Sequence, residues 1–299
     1  MSHEATHLMG VGATKAGTSW LHDYLVSHPE VANPPRKELH YFDSLSGEVP
    51  PFSLAKMRRT VTKEIAALEK RKETVGPHKL RPIERRIERL QKLLDIYADD
   101  TREGAAYSDY LNSEIECSGA KVTTDITPSY GLLSGEWIKR LASIMPVTRF
   151  VYILRDPVDR LWSNIRMDAG NRAPRGVGLS EYCFGMVDAI VASDGHEMLP
   201  RSNYASTLEK LENHVPEQSR WTMFFENMFS QNTMDAFCAF LGISKHPAKV
   251  DKPSYTGVSL KLDDARRTAL SRVLAPQYAA VQARFGALPD RWQQNMTKV

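Results

Sequence analysis

The sequence predicts an α/β protein in which helices flank a central, mostly parallel sheet. Residues 6–27 and residues 150–169 each have the order apolar run, short turn and amphipathic helix. Two further apolar runs, 121–126 and 220–227, are candidate strands next to helical segments. Strands that alternate with helices are typical of parallel sheets, because each return crossing needs a long connection. We expect a single domain over residues 1–299.

The first of these units starts with the apolar run THLMGVG, which ends at Gly12 and suits a buried strand. The helix after the turn should end in the segment SHPEV, because Pro29 disfavours helical geometry at the residue before it. The second unit has the apolar run FVYIL, the turn RDP and a helix that starts near Pro157. Both units predict a strand, a turn and a helix.

Residues 52–100 have a different character. Their second half contains apolar residues spaced three and four apart, with Lys, Arg and Glu between them. This narrow seam consists of Leu80, Ile83, Ile87, Leu90, Leu94 and Tyr97. The first half has similar spacing, and the segment VGPHK separates the two halves. We expect a charged antiparallel helical hairpin, acting as a solvated packing arm or, alternatively, as an arm that faces substrate or forms a homodimer.

Charge and composition exclude several classes of function. The 39 Lys and Arg residues against 36 Asp and Glu leave a net charge of +3, so bulk nucleic-acid binding is not expected. No apolar stretch approaches the roughly 18 residues of a membrane-spanning helix, and the N-terminus lacks a signal-peptide pattern. The three cysteines have no metal-ligand spacing and indicate reduced thiols. We expect a cytoplasmic protein with no transmembrane segment.

The turn GATKAGTS is suited to binding a phosphate. A helix start offers free backbone N–H groups and the positive end of the helix dipole. Gly12 and Gly17 permit close approach, Lys15 adds positive charge, and Thr18 and Ser19 add hydroxyl groups. In the common nucleotide loop G-x-x-x-x-G-K-[ST] the lysine follows the last glycine, whereas Lys15 precedes Gly17. The turn therefore indicates a donor that needs no metal bridge.

The segment ATKAGTSWLHDYL resembles the 5′-phosphosulfate loop of the sulfotransferases, which use 3′-phosphoadenylyl sulfate (PAPS) as donor. Thr14 stands where proline or glutamine is more frequent. The resemblance implies a P-loop NTPase-like sulfotransferase fold. It also implies donor contacts from Lys15, Ala16, Gly17, Thr18 and Ser19.

A second segment, LRDPVDRLWS, is similar to the family's 3′-phosphate pattern R-[DN]-P-x-x-R-x-x-S. This resemblance implies that Arg155 and Ser163 contact the 3′-phosphate of the donor. The forked guanidinium of Arg155 suits a dianionic phosphate, and Ser163 lies about two helical turns beyond the helix start. Arg160 is expected to hold the turn rather than to touch the donor.

The segment RKELHYFD contains the candidate base. It resembles the K-E-[ILV]-H-[FY]-F-D segment of carbohydrate sulfotransferases of the heparan sulfate type, which implies that Glu38 is the base and that Lys37 and His40 line the same cleft. Alternation in an extended stretch would place Glu38 and His40 on one side. Sulfotransferases for phenols and steroids use a histidine instead, so His40 remains the rival base.

Two later segments add further candidates. TDITPSY is similar to a family segment that borders the acceptor cleft, with Asp125 where glutamate is frequent. Tyr130 is expected to be buried in the turn or, alternatively, to stack on a sugar or on the adenine. DKPSYTGVSLK, residues 251–261, stands where the family has a loop on the adenine side. Its candidate residues are Lys252, Tyr255 and Gly257.

These resemblances predict a sulfotransferase that moves a sulfuryl group from PAPS to a hydroxyl or amine by direct in-line transfer, without a metal. Glu38 would take the acceptor proton and Lys15 would stabilise the leaving phosphate. The RKELHYFD segment favours a carbohydrate or glycolipid acceptor. The alternatives are a P-loop kinase acting on a small molecule and a non-catalytic adaptor that uses the hairpin.

Overall fold

The computed structural model describes residues 5–98, 104–193, 195–250 and 259–296. These residues form a five-stranded sheet flanked by helices. The strands are β1 (Thr6–Gly12), β2 (Val31–Ala32), β3 (Val122–Asp125), β4 (Val147–Leu154) and β5 (Arg220–Phe224). The helices are α1 (Thr18–Ser27), α2 (Tyr41–Ser46), α3 (Leu54–Lys72), α4 (Pro77–Ala98), α5 (Ala105–Ser118), α6 (Gly135–Ala142), α7 (Pro157–Arg172), α8 (Leu179–Ala192), α9 (Tyr204–His214), α10 (Phe225–Met228), α11 (Gln231–Leu241), α12 (Asp264–Val273), α13 (Ala275–Phe285) and α14 (Asp290–Met296). None of them is long and apolar enough to cross a bilayer.

The sheet has the strand order β2-β3-β1-β4-β5, and every neighbouring pair is parallel. This confirms the predicted α/β fold. All seven residues of the central strand β1 are buried, as expected for a strand covered on both faces. Thr6 lies opposite Val122 in β3 and opposite Val147 in β4. The turns after β1 and β4 therefore leave the sheet at the same edge, which is where open parallel sheets bind ligands.

Two strands are shorter than the sequence predicts. The run 121–126 is a strand only as far as Asp125, and the run 220–227 ends at Phe224 because α10 follows at once. In α10 the Glu226 Oε1 accepts a hydrogen bond of 3.0 Å from the backbone N–H of Asp156. This contact holds the end of β5 against the start of α7, so the chain turns there instead of continuing as a strand.

Two long helices, α3 and α4, occupy the predicted hairpin of residues 52–100, of which 99 and 100 lie outside the described residues. The apolar seam differs from the prediction near both ends of α4. Leu80 and Leu94 are only partly buried, whereas Leu93 and Ile96 are buried. The reason is that α4 packs against both α3 and α5, so its last turns bury more than one narrow stripe.

The hairpin supports residues 36–43, which we call the base segment. The Tyr97 hydroxyl at the end of α4 donates to the Leu39 carbonyl oxygen at 2.5 Å. Arg36 forms an ion pair of 2.9 Å with Glu64 of α3. These contacts favour the interpretation of the hairpin as a packing arm, since they fix the backbone that carries the candidate base.

Candidate active site

The turn between β1 and α1, residues 12–19, forms what we call the phosphate loop. Gly17 immediately precedes α1 with a left-handed φ of 91°, and Lys15 also has a positive φ of 69°. Ala16 between them is fully buried. The first turn of α1 contains no acidic residue, so nothing in that turn neutralises the positive end of its dipole. The loop therefore keeps the anion-binding character that its sequence predicts.

Gly17 is required because its backbone is left-handed and because neighbouring side chains leave no room for a Cβ atom. A Cβ at this position would lie 2.8 Å from the Phe225 ring and 2.9 Å from Met228 Sδ. We expect Gly17→Ala to lower the free energy of unfolding by the roughly 1–2 kcal/mol of a left-handed non-glycine residue plus about 1–3 kcal/mol from crowding. The matched control is Gly47→Ala, which has a φ of 72° and no atom within 4 Å of the added Cβ. Equal losses in urea unfolding of the two variants would contradict the crowding argument.

Arg155 lies across the phosphate loop from the end of β4. Its Nη1 donates to the Lys15 carbonyl oxygen at 2.9 Å, and its Cζ lies 4.6 Å from the centre of the Phe225 ring. Its own carbonyl oxygen accepts a 2.7 Å hydrogen bond from the Tyr204 hydroxyl. Ser163 is half-buried two turns along α7. The structure thus brings Arg155 to the phosphate loop and places Ser163 on the helix that starts beside it.

Arg160 holds the loop from inside. It is fully buried, and its Nη1 donates to the Thr14 carbonyl oxygen at 3.4 Å. Its Nη2 donates to the Ser202 hydroxyl. These contacts agree with the expected structural role of Arg160.

Several cations converge on the phosphate loop. The pKa of Lys15 is lowered, first by burial and then by the nearby charges of Arg155, Arg166 and Lys37. Like charges held close together repel one another and attract an anion that enters between them. The arrangement is suited to a ligand with more than one negative charge.

Aromatic residues lie beside these cations. Phe225, which stacks on Arg155, is 4.9 Å from Phe229 between ring centres, and Phe229 is 5.0 Å from Trp20 of α1. Such a surface can stack a purine base. These residues cannot be singled out from sequence, because an apolar run such as MFF gives no sign of which ring will face a cation. The adenine-side candidates Lys252, Tyr255 and Gly257 lie outside the described residues.

The base segment brings together two carboxylates and an imidazole. His40 Nε2 lies 3.2 Å from Glu38 Oε2, and His40 Nδ1 lies 2.7 Å from Asp43 Oδ2. Glu38 and His40 are therefore on one side, as predicted, while Leu39 and Tyr41 are buried. The backbone differs from the predicted extended stretch, because His40 has a left-handed φ of 53° and directly precedes α2.

The charges in this cluster give the two candidate bases different protonation states. Burial alone would lower the pKa of His40, but hydrogen bonds and charge from Asp43 and Glu38 raise it to about 9. Burial opposes ionisation of Glu38, yet His40 and Lys37 together lower its pKa to about 2. At neutral pH His40 is thus protonated and Glu38 is ionised. The Glu38 side chain is 37% exposed, so the carboxylate can be reached by a second substrate.

Asp125 anchors the base segment to the end of β3. Its Oδ1 accepts hydrogen bonds from the Thr127 hydroxyl at 2.5 Å and the Leu39 N–H at 3.4 Å. Its Oδ2 accepts one of 2.8 Å from Tyr130, whose hydroxyl in turn accepts one of 3.1 Å from the Tyr41 N–H. Tyr130 is fully buried, so it serves this network and does not stack on a ligand. Within the described ranges, no group of three or more His, Cys, Asp or Glu residues is placed to hold a metal ion.

Lys37 connects the base segment to the phosphate loop. Its Nζ donates to Glu38 Oε1 at 2.9 Å, to Ser19 Oγ at 3.1 Å and to Thr18 Oγ1 at 3.2 Å. The sequence motif identifies Lys37 only as a neighbour of the base. Local spacing carries no signal for a side chain that bridges two segments 18 residues apart.

Comparison with known proteins identifies a family and a similar fold. Residues 8–247 match the model of a family described as the Sulfotransferase family. A sulfotransferase from Alicyclobacillus acidocaldarius has a similar structure, with a TM-score of 0.58 and 20% identity over 96% of this chain and 98% of that chain. The sulfotransferase domain of the Synechococcus PCC 7002 olefin synthase has a TM-score of 0.49 and 12% identity, over 100% of this chain and 94% of that chain. No curated protein matches the chain.

The family match covers both the phosphate loop and the Arg155 segment, and the fold similarity extends over nearly the whole chain. Neither the family match nor the fold similarity distinguishes the carbohydrate type from other sulfotransferases. The chain belongs to the sulfotransferase family.

Proposed function

We propose that this sulfotransferase uses PAPS as donor and transfers its sulfuryl group to a hydroxyl or amine of an acceptor. The observation that carries this proposal is the meeting of the two strand-end turns, which sets Arg155 against the carbonyl of Lys15. PAPS has a 5′-phosphosulfate and a separate 3′-phosphate, so its binding needs two cationic positions next to each other. The phosphate loop and the Arg155 turn supply them.

The described residues fit the donor in three respects. The backbone N–H groups at the start of α1 and the hydroxyls of Thr18 and Ser19 suit the 5′-phosphate. Arg155 suits the 3′-phosphate, because its guanidinium can donate two parallel hydrogen bonds. The ring of Phe225 beside Arg155 offers an apolar face for the adenine.

The residues then have distinct chemical tasks. PAPS supplies a sulfuryl group and leaves as adenosine 3′,5′-bisphosphate. As the acceptor oxygen bonds to sulfur and the bridging S–O bond breaks, Glu38 takes the proton of the acceptor hydroxyl. Lys15 stabilises the negative charge that grows on the bridging oxygen. No electron transfer is involved, and the charges balance with one proton on Glu38.

Glu38 is the better candidate for the base because of the protonation states. A base must be unprotonated before it acts, and the raised pKa of His40 keeps its imidazole protonated near neutral pH. Each Glu38 oxygen accepts one hydrogen bond and retains a lone pair for a further proton. His40, held by Asp43, then orients the Glu38 carboxylate.

We further propose a carbohydrate or glycolipid hydroxyl as the acceptor. The support is the RKELHYFD segment, whose Glu38, His40 and Asp43 form one hydrogen-bonded cluster. The test is a transfer assay with sulfur-labelled PAPS against sugar, phenol and lipid acceptors. We expect label on sugar hydroxyls, and labelling slower by a factor of about 10²–10³ with the Lys15→Met variant. Transfer to phenols but not to sugars would overturn the acceptor class while leaving the donor assignment intact.

A further inference from the structure

In the absence of donor, Lys37 has no N–H group left for a further hydrogen bond. A lysine ammonium has three N–H donors, and Lys37 uses them on Glu38, Ser19 and Thr18. The side chain is only 21% exposed. A ligand phosphate can therefore receive a hydrogen bond from Lys37 only if one of these contacts is given up.

The contact with Glu38 is the one that a donor would displace. The hydroxyls of Thr18 and Ser19 accept from Lys37 and keep their own O–H groups free to donate to a phosphate in the loop. A phosphate bound by these hydroxyls comes close to the Lys37 ammonium. The attraction between Lys37 and a multiply charged phosphate exceeds its attraction to a single carboxylate.

We propose that Lys37 couples donor binding to the base: it donates a hydrogen bond to the Glu38 carboxylate in the donor-free protein and turns to the donor's 5′-phosphosulfate when the donor binds, which makes the carboxylate a stronger base for the acceptor proton. This inference rests on the proposed function of the site. Lys37 is a positioning residue toward Glu38 and an additional cation for the leaving phosphate. Because the base becomes stronger only when donor is present, the acceptor is activated only when transfer is possible.

Lys37 is not the sole charge that faces Glu38. His40 bonds to it directly, and His40 is itself held by Asp43. His22 of α1 and Arg201 of the 3₁₀ turn Pro200–Ser202 also experience the charge of Glu38. Bound phosphate will raise the pKa of Glu38 by like-charge repulsion even without Lys37. The test must therefore compare the ligand-induced change with and without Lys37.

The experiment is a pH titration of Glu38 by NMR in protein labelled with carbon-13 at the glutamate carboxyl, assigned with Glu38→Gln. The probe ligand is adenosine 3′,5′-bisphosphate. In the wild type we expect the pKa of Glu38 to rise by about 1 unit or more when the probe binds. In Lys37→Met we expect a higher pKa without ligand and a ligand-induced rise less than half as large. Lys37→Arg should restore the low ligand-free pKa, whereas Lys249→Met, an exposed lysine, should behave as wild type.

Equal ligand-induced rises in wild type and Lys37→Met would overturn the coupling. If Lys37→Met does not fold, the wild type alone still tests the proposal. The Nζ resonance of Lys37 should then shift on addition of the probe. An unchanged resonance in the bound state overturns the proposal. Failure of the wild type to bind adenosine 3′,5′-bisphosphate in calorimetry would instead overturn the proposed donor. The two failures are therefore distinguishable.

Discussion

Replacing Glu38 by glutamine should lower the turnover of sulfuryl transfer by a factor of about 10²–10⁴, which is the usual contribution of a general base. The amide has a similar shape but cannot take the acceptor proton. Affinity for adenosine 3′,5′-bisphosphate should be unchanged or slightly tighter, because a negative charge near the phosphate loop is removed. Steady-state transfer assays and calorimetry on the same preparations measure both effects.

The control for Glu38→Gln is Glu217→Gln, which removes one charge from an exposed position in the 3₁₀ turn Glu217–Ser219. It should leave turnover unaltered. Full turnover in Glu38→Gln would remove Glu38 from the role of base. Because hydrogen bonds and charge from Asp43 and Glu38 keep His40 protonated in the wild type, such a result would also require a different charge state of the whole cluster.

Replacing Lys15 by methionine should lower turnover by a factor of about 10²–10³, as expected when one stabiliser of a developing oxyanion is lost. Binding of adenosine 3′,5′-bisphosphate should weaken about tenfold, equivalent to about 1.4 kcal/mol. The ligand-free protein should be as stable as the wild type or more stable. Burial and the charges of Arg155, Arg166 and Lys37 all disfavour the protonated amine of Lys15, and methionine has no charge.

Lys79→Met provides the control for Lys15→Met, since Lys79 is exposed on α4. It should change neither turnover nor ligand affinity. A Lys15→Met protein with wild-type turnover would contradict the role of the phosphate loop in stabilising the leaving group. A large loss of ligand-free stability would contradict the electrostatic argument.

The fold and the turns after β1 and β4 could be predicted from sequence because their signals are local. The run from Thr6 to Gly12 is a strand with the predicted bounds, since continuous burial produces a continuous apolar run. The turn at Gly17 depends on a left-handed backbone that glycine accommodates best. The conformation of such residues is determined by the sequence of the short segment in which they lie.

The charge states of the two candidate bases could not be predicted, because they depend on neighbours from distant parts of the chain. Asp43 is close to His40 in sequence, but its Oδ2 is also held at 2.5 Å by Ser129, which follows β3. The base segment is further held by Asp125 through Leu39. Periodicity in one stretch contains no information about these partners, so the sequence left Glu38 and His40 as rivals.

The kinase and adaptor alternatives differ from the proposed function in the ligand that the phosphate loop binds. A kinase loop would place a hydroxyl after its lysine to hold magnesium, whereas here Ala16 follows Lys15. An adaptor would need no converging cations beside a helix start. Neither alternative explains why Arg155 lies against the loop.

The most direct test of the donor assignment is the thermal stability of the wild type with adenosine 3′,5′-bisphosphate and, separately, with ATP and magnesium. A ligand that binds only the folded state stabilises it by about 2.7 kcal/mol at one hundred times its dissociation constant. We expect adenosine 3′,5′-bisphosphate to raise the melting temperature without magnesium, and to do so less in Arg155→Ala. A larger rise with ATP and magnesium, or no rise with either ligand, would contradict the assignment of this site to PAPS.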